Sequence, residues 1–169
     1  IVLALAIFMI TYLFLVQPHE VKGNSMYPTF LDGERLLTDK ITYRFNEPRR
    51  GDVIVFQAPP DRSKDFIKRI IARPKETIQV KDTRVYVNNQ LLDEVYISPA
   101  ILTQPGAFLT EGKTYTLGPD EYFVMGDNRD HSSDSRSWGT IKKKEIVGKA
   151  WVIYWPPQKF GVIPTVTFA

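Results

Sequence analysis

Val53-Ile54-Val55-Phe56 is a continuous apolar run that ends just before Pro59-Pro60, and it is the stretch that decides the fold. A short run of β-branched and aromatic residues closed by prolines is typical of a buried strand. Further along, Thr77-Ile78-Gln79-Val80-Lys81 alternates between apolar and polar residues, as a half-exposed strand should. Together these patterns predict a chain built mostly from β-strands.

Turn residues separate the strands that follow. Val85-Tyr86-Val87 precedes Asn88-Asn89, which is typical of a hairpin arm and its turn. Tyr115 to Leu117 and Tyr122 to Met125 flank the turn residues Gly118-Pro119-Asp120-Glu121. This arrangement predicts a second hairpin.

The rest of the chain completes the fold prediction. The last strand is predicted from Ile146 to Trp155, and a weak helix near Ser137 to Glu145. Residues 93–113, interrupted by prolines and glycines, are predicted to form a surface excursion or a small subdomain. Regular short strands separated by turns indicate a β-sandwich or barrel-like domain over residues 18–169.

An apolar segment precedes this domain. Ile1 to Val16 contains no charge and almost no polar residue. These residues would cover roughly 24 Å as a helix, short of the roughly 30 Å hydrocarbon core, so we expect upstream residues to complete the span. No small-x-small cleavage site follows, which favours an uncleaved anchor over a cleaved signal peptide. Residues 1–17 are therefore predicted to be a transmembrane anchor, truncated at its start.

The composition excludes several classes of site. The 169 residues are 43% apolar, normal for a folded protein, and the net charge of +3 is mild. The absence of cysteine excludes disulfides, thiolate catalysis and cysteine metal sites. Two histidines, His19 and His131, are too few for a typical zinc site without carboxylate help. No phosphate loop or nucleic-acid motif is present, so we expect no cofactor, no metal and no nucleic-acid partner.

A serine and a lysine suggest a nucleophile and its base. Ser25 follows the apolar segment closely, and a serine hydroxyl is a poor nucleophile until something takes its proton. Lys68 stands between Phe66-Ile67 and Ile70-Ile71, with Arg69 as one competing charge. An apolar setting favours the neutral amine that such a base requires. Taken alone, each residue has an ordinary alternative: a turn serine before a proline, and a strand lysine whose ammonium reaches solvent.

A third segment, Gly126 to Arg136, is dense in polar side chains between apolar flanks. Segments of this kind build a site or a buried polar network. An alternative triad would combine His131 with one of three carboxylates in the segment, namely Asp127, Asp130 and Asp134. The sequence alone leaves that alternative open.

Four segments of the chain, in order, resemble those of bacterial type I signal peptidases, the membrane-bound serine proteases that cut signal peptides from exported proteins. The segments are Ser25-Met26-Tyr27-Pro28-Thr29, Arg50-Gly51-Asp52-Val53-Ile54-Val55-Phe56, Lys68-Arg69-Ile70-Ile71 and Gly126 to Arg136. The resemblance implies Ser25 as nucleophile, Lys68 as general base and Ser132 as the serine that orients the lysine. It also implies a single-pass protein of the bacterial plasma membrane, with its catalytic domain on the extracytoplasmic side.

Several further side chains would support such a site. We expect Asp134 and Arg136 to form an ion pair that braces the polar segment, and Asp127 to pair with Arg69. The backbone N–H of Ser25 is the natural oxyanion donor. Some family members also place a serine hydroxyl two residues before the nucleophile. Here that position is Gly23, so the resemblance does not supply this second donor.

The expected substrates are signal peptides, which carry small residues at the first and third positions before the cut. Met26, Phe66 and Ile67 flank the two proposed catalytic residues and are candidates to line the substrate pockets, with plain core packing as the alternative. An extended substrate could pair with an edge strand of the β domain. The lipid bilayer is the other expected partner, and a monomer is favoured.

Two other functions are compatible with parts of this pattern. A non-catalytic, membrane-tethered β domain could act in protein sorting or assembly on the same scaffold. A self-cleaving Ser-Lys protein of the SOS-repressor type is the other possibility, although a membrane anchor beside the serine fits it poorly.

Overall fold

The computed structural model describes residues 1–168. Within these residues there are three α-helices, at Val2–Leu15 (α1), Thr42–Phe45 (α2) and Ser135–Trp138 (α3). Single 3-10 turns lie at Arg129–His131, Lys143–Glu145 and Pro157–Lys159. The strands, in chain order, are Val16–Glu20 (β1), Arg35–Asp39 (β2), Val53–Ala58 (β3), Asp61–Ala72 (β4), Thr77–Lys81 (β5), Arg84–Val87 (β6), Gln90–Leu91 (β7), Thr114–Thr116 (β8), Glu121–Met125 (β9), Ile141–Lys142 (β10), Ile146–Trp155 (β11) and Gly161–Val162 (β12).

The strands form two antiparallel sheets. The larger has the order β1-β2-β11-β3-β4-β9-β10, with β12 paired to β11. The smaller has the order β7-β6-β5-β8. The prediction of a mostly β protein is therefore confirmed.

Strand β3 lies in the middle of the larger sheet, between β11 and β4. Val53 and Val55 point into one hydrophobic core, while Ile54 and Phe56 point into another on the opposite face. Because both faces are covered, the strand is apolar throughout instead of alternating, and this explains the run that the sequence shows. Its position also fixes β4, which carries Lys68 in register with Ile54.

One predicted hairpin is confirmed and the other is wrong. Asn88 and Asn89 join β6 to β7, and both have the positive φ (52° and 63°) that a tight hairpin turn requires. In contrast, β8 and β9 do not pair across Gly118 to Glu121. Strand β8 pairs with β5 in the smaller sheet, whereas β9 pairs with β4 and β10 in the larger one. The turn from Gly118 to Glu121 therefore connects the smaller sheet to the larger one.

The helix predicted near Ser137 to Glu145 is shorter and begins earlier. Asp134 caps α3 by accepting from Arg136 N at 3.2 Å, and Gly139, with φ of 94°, ends it. The remaining residues form β10 and a 3-10 turn. Helix α2 was not predicted; its start is held by Asp39, whose Oδ1 accepts from Thr42 N at 3.0 Å.

The N-terminal segment forms α1, a helix of 14 residues that leads directly into β1. Within residues 1–168, no helix combines the length and the apolar character needed to cross a membrane.

Residues 93–113 contain neither helix nor strand. Thr103 and Leu109 are nevertheless buried, and Gly106 packs against the backbone of Arg136 so closely that a side chain there would overlap it. Residues 93–113 are therefore packed against Gly126 to Arg136, the polar segment that contains part of the predicted site.

Candidate active site

Ser25 lies in a turn that follows β1. The turn is closed by Tyr27 N donating to Asn24 O at 3.1 Å. Asn128 holds it from the other side, because its backbone N donates to Ser25 O at 3.0 Å and its side chain donates to Asn24 O at 2.9 Å. Two segments far apart in the chain thereby fix the position of the serine.

Lys68 approaches this serine from β4. Its Nζ lies 2.8 Å from Ser25 Oγ and 3.0 Å from Ile67 O, and only 4% of the residue is exposed. The ring of Phe66 lies beside the amine, with 5.2 Å between Nζ and the ring centroid. The structure thus brings together the two residues that the sequence singled out.

Burial changes the protonation of this lysine. It lowers the pKa of Lys68 to about 8, because the charged ammonium loses hydration in this setting. The carboxylates of Asp134 and Asp127 act in the opposite direction and limit the decrease. Near pH 8, a substantial fraction of the molecules therefore carries Lys68 in its neutral form, and only a neutral amine can accept a proton.

Arg69, the residue after Lys68 on β4, forms the expected ion pair with Asp127. The guanidinium donates through Nε and Nη2 to the two carboxylate oxygens, at 2.9 and 2.6 Å. Asp127 also accepts from Thr29 Oγ1 at 2.5 Å, and Nη1 of Arg69 donates to Gly51 O at 2.8 Å. The pair joins the serine turn, β4 and the polar segment. It is fully buried and its bonding is bidentate, so it acts as a rigid brace.

Asp134 and Arg136 also form the expected pair. The guanidinium donates to both carboxylate oxygens at 2.9 Å, and Gly126 N donates to Asp134 Oδ2 at 3.1 Å. Arg136 also donates to Arg129 O at 2.7 Å. The polar segment is thus folded onto itself around buried charges.

Ser132 lies within the same folded segment. Its Oγ is buried and has no hydrogen-bond partner among the residues that the structure describes. Gly126 lies against both this oxygen and the backbone oxygen of Ser25, so closely that a methyl group on Gly126 would overlap them. The hydroxyl is therefore next to the serine turn but is not bonded to Lys68 Nζ.

The alternative base, His131, stands elsewhere. It ends the 3-10 turn Arg129–His131 and is exposed, whereas Ser25 Oγ is already in contact with Lys68 Nζ. Within the described residues, no group of three or more His, Asp or Glu side chains could hold a metal ion.

A cleft of about 700 Å³ opens beside the serine and the lysine. The three predicted lining residues, Met26, Phe66 and Ile67, all line it. Strands β1 and β4, and the two residues that follow β1, also line the cleft, through Pro18, His19, Glu20, Val21, Lys22, Ser63, Lys64 and Asp65.

Several residues of this region were not predicted from the sequence. Asn128 and Thr29 hold the serine turn through hydrogen bonds, and His19 lines the cleft. The dense polar character of Gly126 to Arg136 was a signal for Asn128. Nothing in the local pattern pointed to His19, because its partners lie on two other strands.

Comparison with known proteins shows which family the chain resembles. The profile of the family described as "Signal peptidase, peptidase S26" matches residues 1–155. A "Signal peptidase I" from Leptolyngbya laminosa is 39% identical over 161 residues, covering 88% of this chain and 73% of that protein. A "Probable signal peptidase I-1" from Synechocystis sp. is 35% identical, with coverage of 98% and 84%. A "Signal peptidase IB" from Staphylococcus aureus is 34% identical, with coverage of 95% and 88%.

The family resemblance drawn from the four sequence segments is thereby confirmed. The match extends over most of the chain, from α1 through β11. The chain belongs to the signal peptidase family, peptidase S26, and is a serine endopeptidase.

Proposed function

We propose that this protein is a membrane-anchored endopeptidase that cuts signal peptides from exported preproteins after small residues. Ser25 is the nucleophile and Lys68 the general base. The observation that carries the proposal is the 2.8 Å separation of Ser25 Oγ and Lys68 Nζ, with the amine buried and its pKa lowered to about 8. A hydroxyl in contact with a partly neutral amine is an activated nucleophile.

The reaction begins when neutral Lys68 takes the proton of Ser25 Oγ as this oxygen attacks the scissile carbonyl carbon. The resulting ammonium gives that proton to the departing amine, which leaves an acyl-enzyme at Ser25. Lys68, neutral again, takes a proton from the attacking water. Collapse of the second tetrahedral intermediate returns the proton to Ser25 and frees the carboxylate product. These proton transfers are those of a serine protease in which a lysine takes the place of the catalytic histidine.

The oxyanion that forms in both steps requires hydrogen-bond donors. The backbone N–H of Ser25 is the first. Gly23 has no side chain to offer, and its own N–H is already donated to Asp32 Oδ1 at 2.6 Å. Two arrangements then remain: another backbone amide or a water molecule is the second donor, or the backbone N–H of Ser25 acts alone.

We assign the N-terminal segment, residues 1–17, to a membrane anchor whose membrane-embedded part is α1, because Val16 and Gln17 already pair with β2. Its support is the apolar surface of α1, where Val2, Leu3, Phe8 and Met9 are largely exposed. An exposed apolar helix is stabilised by lipid contact. The domain from residue 18 onward would then lie on the extracytoplasmic side of a bacterial plasma membrane, where preproteins emerge.

The cleft suits an extended peptide. Strand β1 is paired only with β2, and the part of β4 before Arg69 is paired only with β3, within the described residues. Both strands therefore offer unpaired backbone groups beside the cleft. A signal peptide that hydrogen-bonds to such an edge would present alternate side chains to the cleft. Apolar residues beside Ser25, including Met26 and Ile67, favour small apolar side chains there.

The direct test uses the full chain in detergent with a preprotein that carries an Ala-x-Ala site, and maps the cut by mass spectrometry. We expect one cut after the second alanine. A matched preprotein with phenylalanine at that position should remain intact, because a shallow pocket excludes the larger ring. Cutting of both preproteins at equal rates, or of neither, would contradict the proposal.

Ser132→Ala should lower kcat by roughly ten- to a thousandfold, because positioning of a catalytic base contributes a few kcal/mol. The buried Ser132 Oγ has no hydrogen-bond partner within the described residues and lies beside Gly126, which also contacts the backbone oxygen of Ser25. Steady-state kinetics on the Ala-x-Ala preprotein measures the effect. An unchanged kcat would show that Ser132 does not help to position Lys68.

His131→Ala should retain most of the activity, because the imidazole is exposed and Lys68 already contacts the nucleophile. The same kinetics on the purified variant checks this. A loss of about a thousandfold or more, the scale for removal of a triad member, would restore the Ser-His-Asp mechanism.

A further inference from the structure

Tyr96 places its aromatic ring against the guanidinium of Arg69. Tyr96 belongs to the irregular segment 93–113, and its ring centroid lies 4.2 Å from Cζ of Arg69. The edge of this guanidinium is already bonded, to Asp127 through Nε and Nη2 and to Gly51 O through Nη1. The ring therefore covers a flat face of the same group, where a cation is attracted by the π electrons. Because Arg69 is only 2% exposed, this contact takes the place of hydration that the buried charge lacks.

Tyr96 is itself held by its hydroxyl and by an aromatic neighbour. The phenol donates to Glu94 Oε1 at 2.6 Å, and Arg129 Nη2 donates to the phenol oxygen at 3.2 Å. Burial, and after it the carboxylate of Glu94, raises the pKa of Tyr96 well above its usual value, so the phenol keeps its proton and remains a donor. Phe168 packs edge-on against the ring, with 6.2 Å between the centroids. The ring is thus fixed on Arg69 by several contacts.

Glu94 and Arg129 join this contact to the polar segment. Arg129 donates to both carboxylate oxygens of Glu94, to Oε2 at 2.9 Å, and its Nε donates to Gly126 O at 3.0 Å. Its Nη1 also donates to Thr103 Oγ1 at 2.6 Å, and its side chain is fully buried. Segment 93–113 therefore contributes side chains to the ion-pair network of the site.

The charged groups around Lys68 come from several elements. Asp134 and Asp127 favour its ammonium form, but each carboxylate is paired with an arginine, Arg136 and Arg69 respectively. Other titratable side chains line the cleft and are at least partly exposed, so water weakens their effect: His19, Glu20, Lys22, Lys64 and Asp65. The protonation of Lys68 therefore depends on how firmly the two arginines hold their carboxylates.

We propose that Tyr96 is a positioning residue for the catalytic base: its ring keeps the Arg69 guanidinium aligned with Asp127, so that this carboxylate stays neutralised and Lys68 keeps its proton-accepting form. The inference rests on the proposed function, because it concerns the same base. Without the ring, the guanidinium gains room to tilt and water reaches its face, which weakens the two bonds to Asp127. The less neutralised carboxylate then favours the ammonium form of Lys68.

The test measures kcat/KM against pH for the full chain in detergent, with the Ala-x-Ala preprotein as substrate. In the wild type the acid limb of this profile reports the pKa of Lys68, which is about 8. Tyr96→Leu should move the limb to higher pH by about half a unit or more, since a nearby opposite charge shifts a pKa by about one to three units. Near pH 7, kcat/KM should then fall by roughly threefold or more, whereas the plateau at high pH should remain near that of the wild type.

Two variants serve as controls. Tyr96→Phe keeps the ring and should keep the wild-type limb. Tyr86→Leu makes the same change at a half-buried tyrosine of β6 that lies outside the cleft, and it should also leave the limb in place. If Tyr96→Leu does not fold, as judged by its thermal transition, Tyr96→Met decides, because the flexible thioether side chain fills the space of the ring without its π face.

An unmoved limb in Tyr96→Leu, an equal loss at every pH, or an equal displacement in Tyr96→Phe would overturn the positioning role. The outcomes also separate the two proposals. A wild type that does not cut the preprotein refutes the proposed function. A wild type that cuts it with an acid limb near pH 8, together with a Tyr96→Leu variant that has the same limb, refutes only the role of Tyr96.

Discussion

Ser25→Ala should abolish cleavage of an Ala-x-Ala preprotein while leaving the fold intact. The hydroxyl is the group that bonds to the scissile carbon, and among the described residues no other side-chain oxygen is hydrogen-bonded to Lys68 Nζ. Removal of one half-buried hydroxyl from a turn should alter the stability only slightly. Quantitative cleavage assays, with circular dichroism as a check on folding, measure both effects.

Ser98→Ala is the matched control, because Ser98 is exposed and lies in the irregular segment 93–113, outside the cleft. It should cut at the wild-type rate. If Ser25→Ala cuts at that rate too, the nucleophile lies elsewhere in the chain.

Lys68→Arg should be inactive as well. The guanidinium keeps a positive charge of similar reach but does not deprotonate in the accessible pH range, so it cannot take the proton of Ser25. The measurement is kcat/KM on the same preprotein, with folding confirmed by the thermal transition. The conservative control is Lys142→Arg at an exposed lysine. Substantial cleavage by Lys68→Arg would refute the Ser-Lys mechanism.

The pairing of Ser25 with Lys68 was predictable because each residue carries a local signal. The serine follows an apolar segment, and the lysine interrupts an apolar strand, where its charge is unfavourable. The same holds for β3 and β5, whose burial patterns follow directly from the order of apolar and polar residues. Local patterns of this kind can be interpreted without knowing which other segments of the chain pack against them.

Features that depend on distant partners were not predictable. The turn Gly118 to Glu121 has the residues of a hairpin, yet the strands on either side pair in different sheets. Pairing is decided by which surfaces bury the apolar side chains, and this is a property of the whole fold. His19 is a similar case, because its hydrogen-bond partners, Thr38 and Asp65, lie on separate strands.

The pH dependence of kcat/KM for the wild-type enzyme tests the Ser-Lys mechanism most directly, because it reports the ionisation of the free enzyme. Burial lowers the pKa of Lys68 to about 8, and only the neutral amine accepts a proton. The rate should therefore be at its plateau above that value and fall tenfold for each pH unit below it. A profile that begins to rise only near the free-lysine pKa of about 10.4, or that shows no ionisation between about pH 6 and 10, would contradict the account.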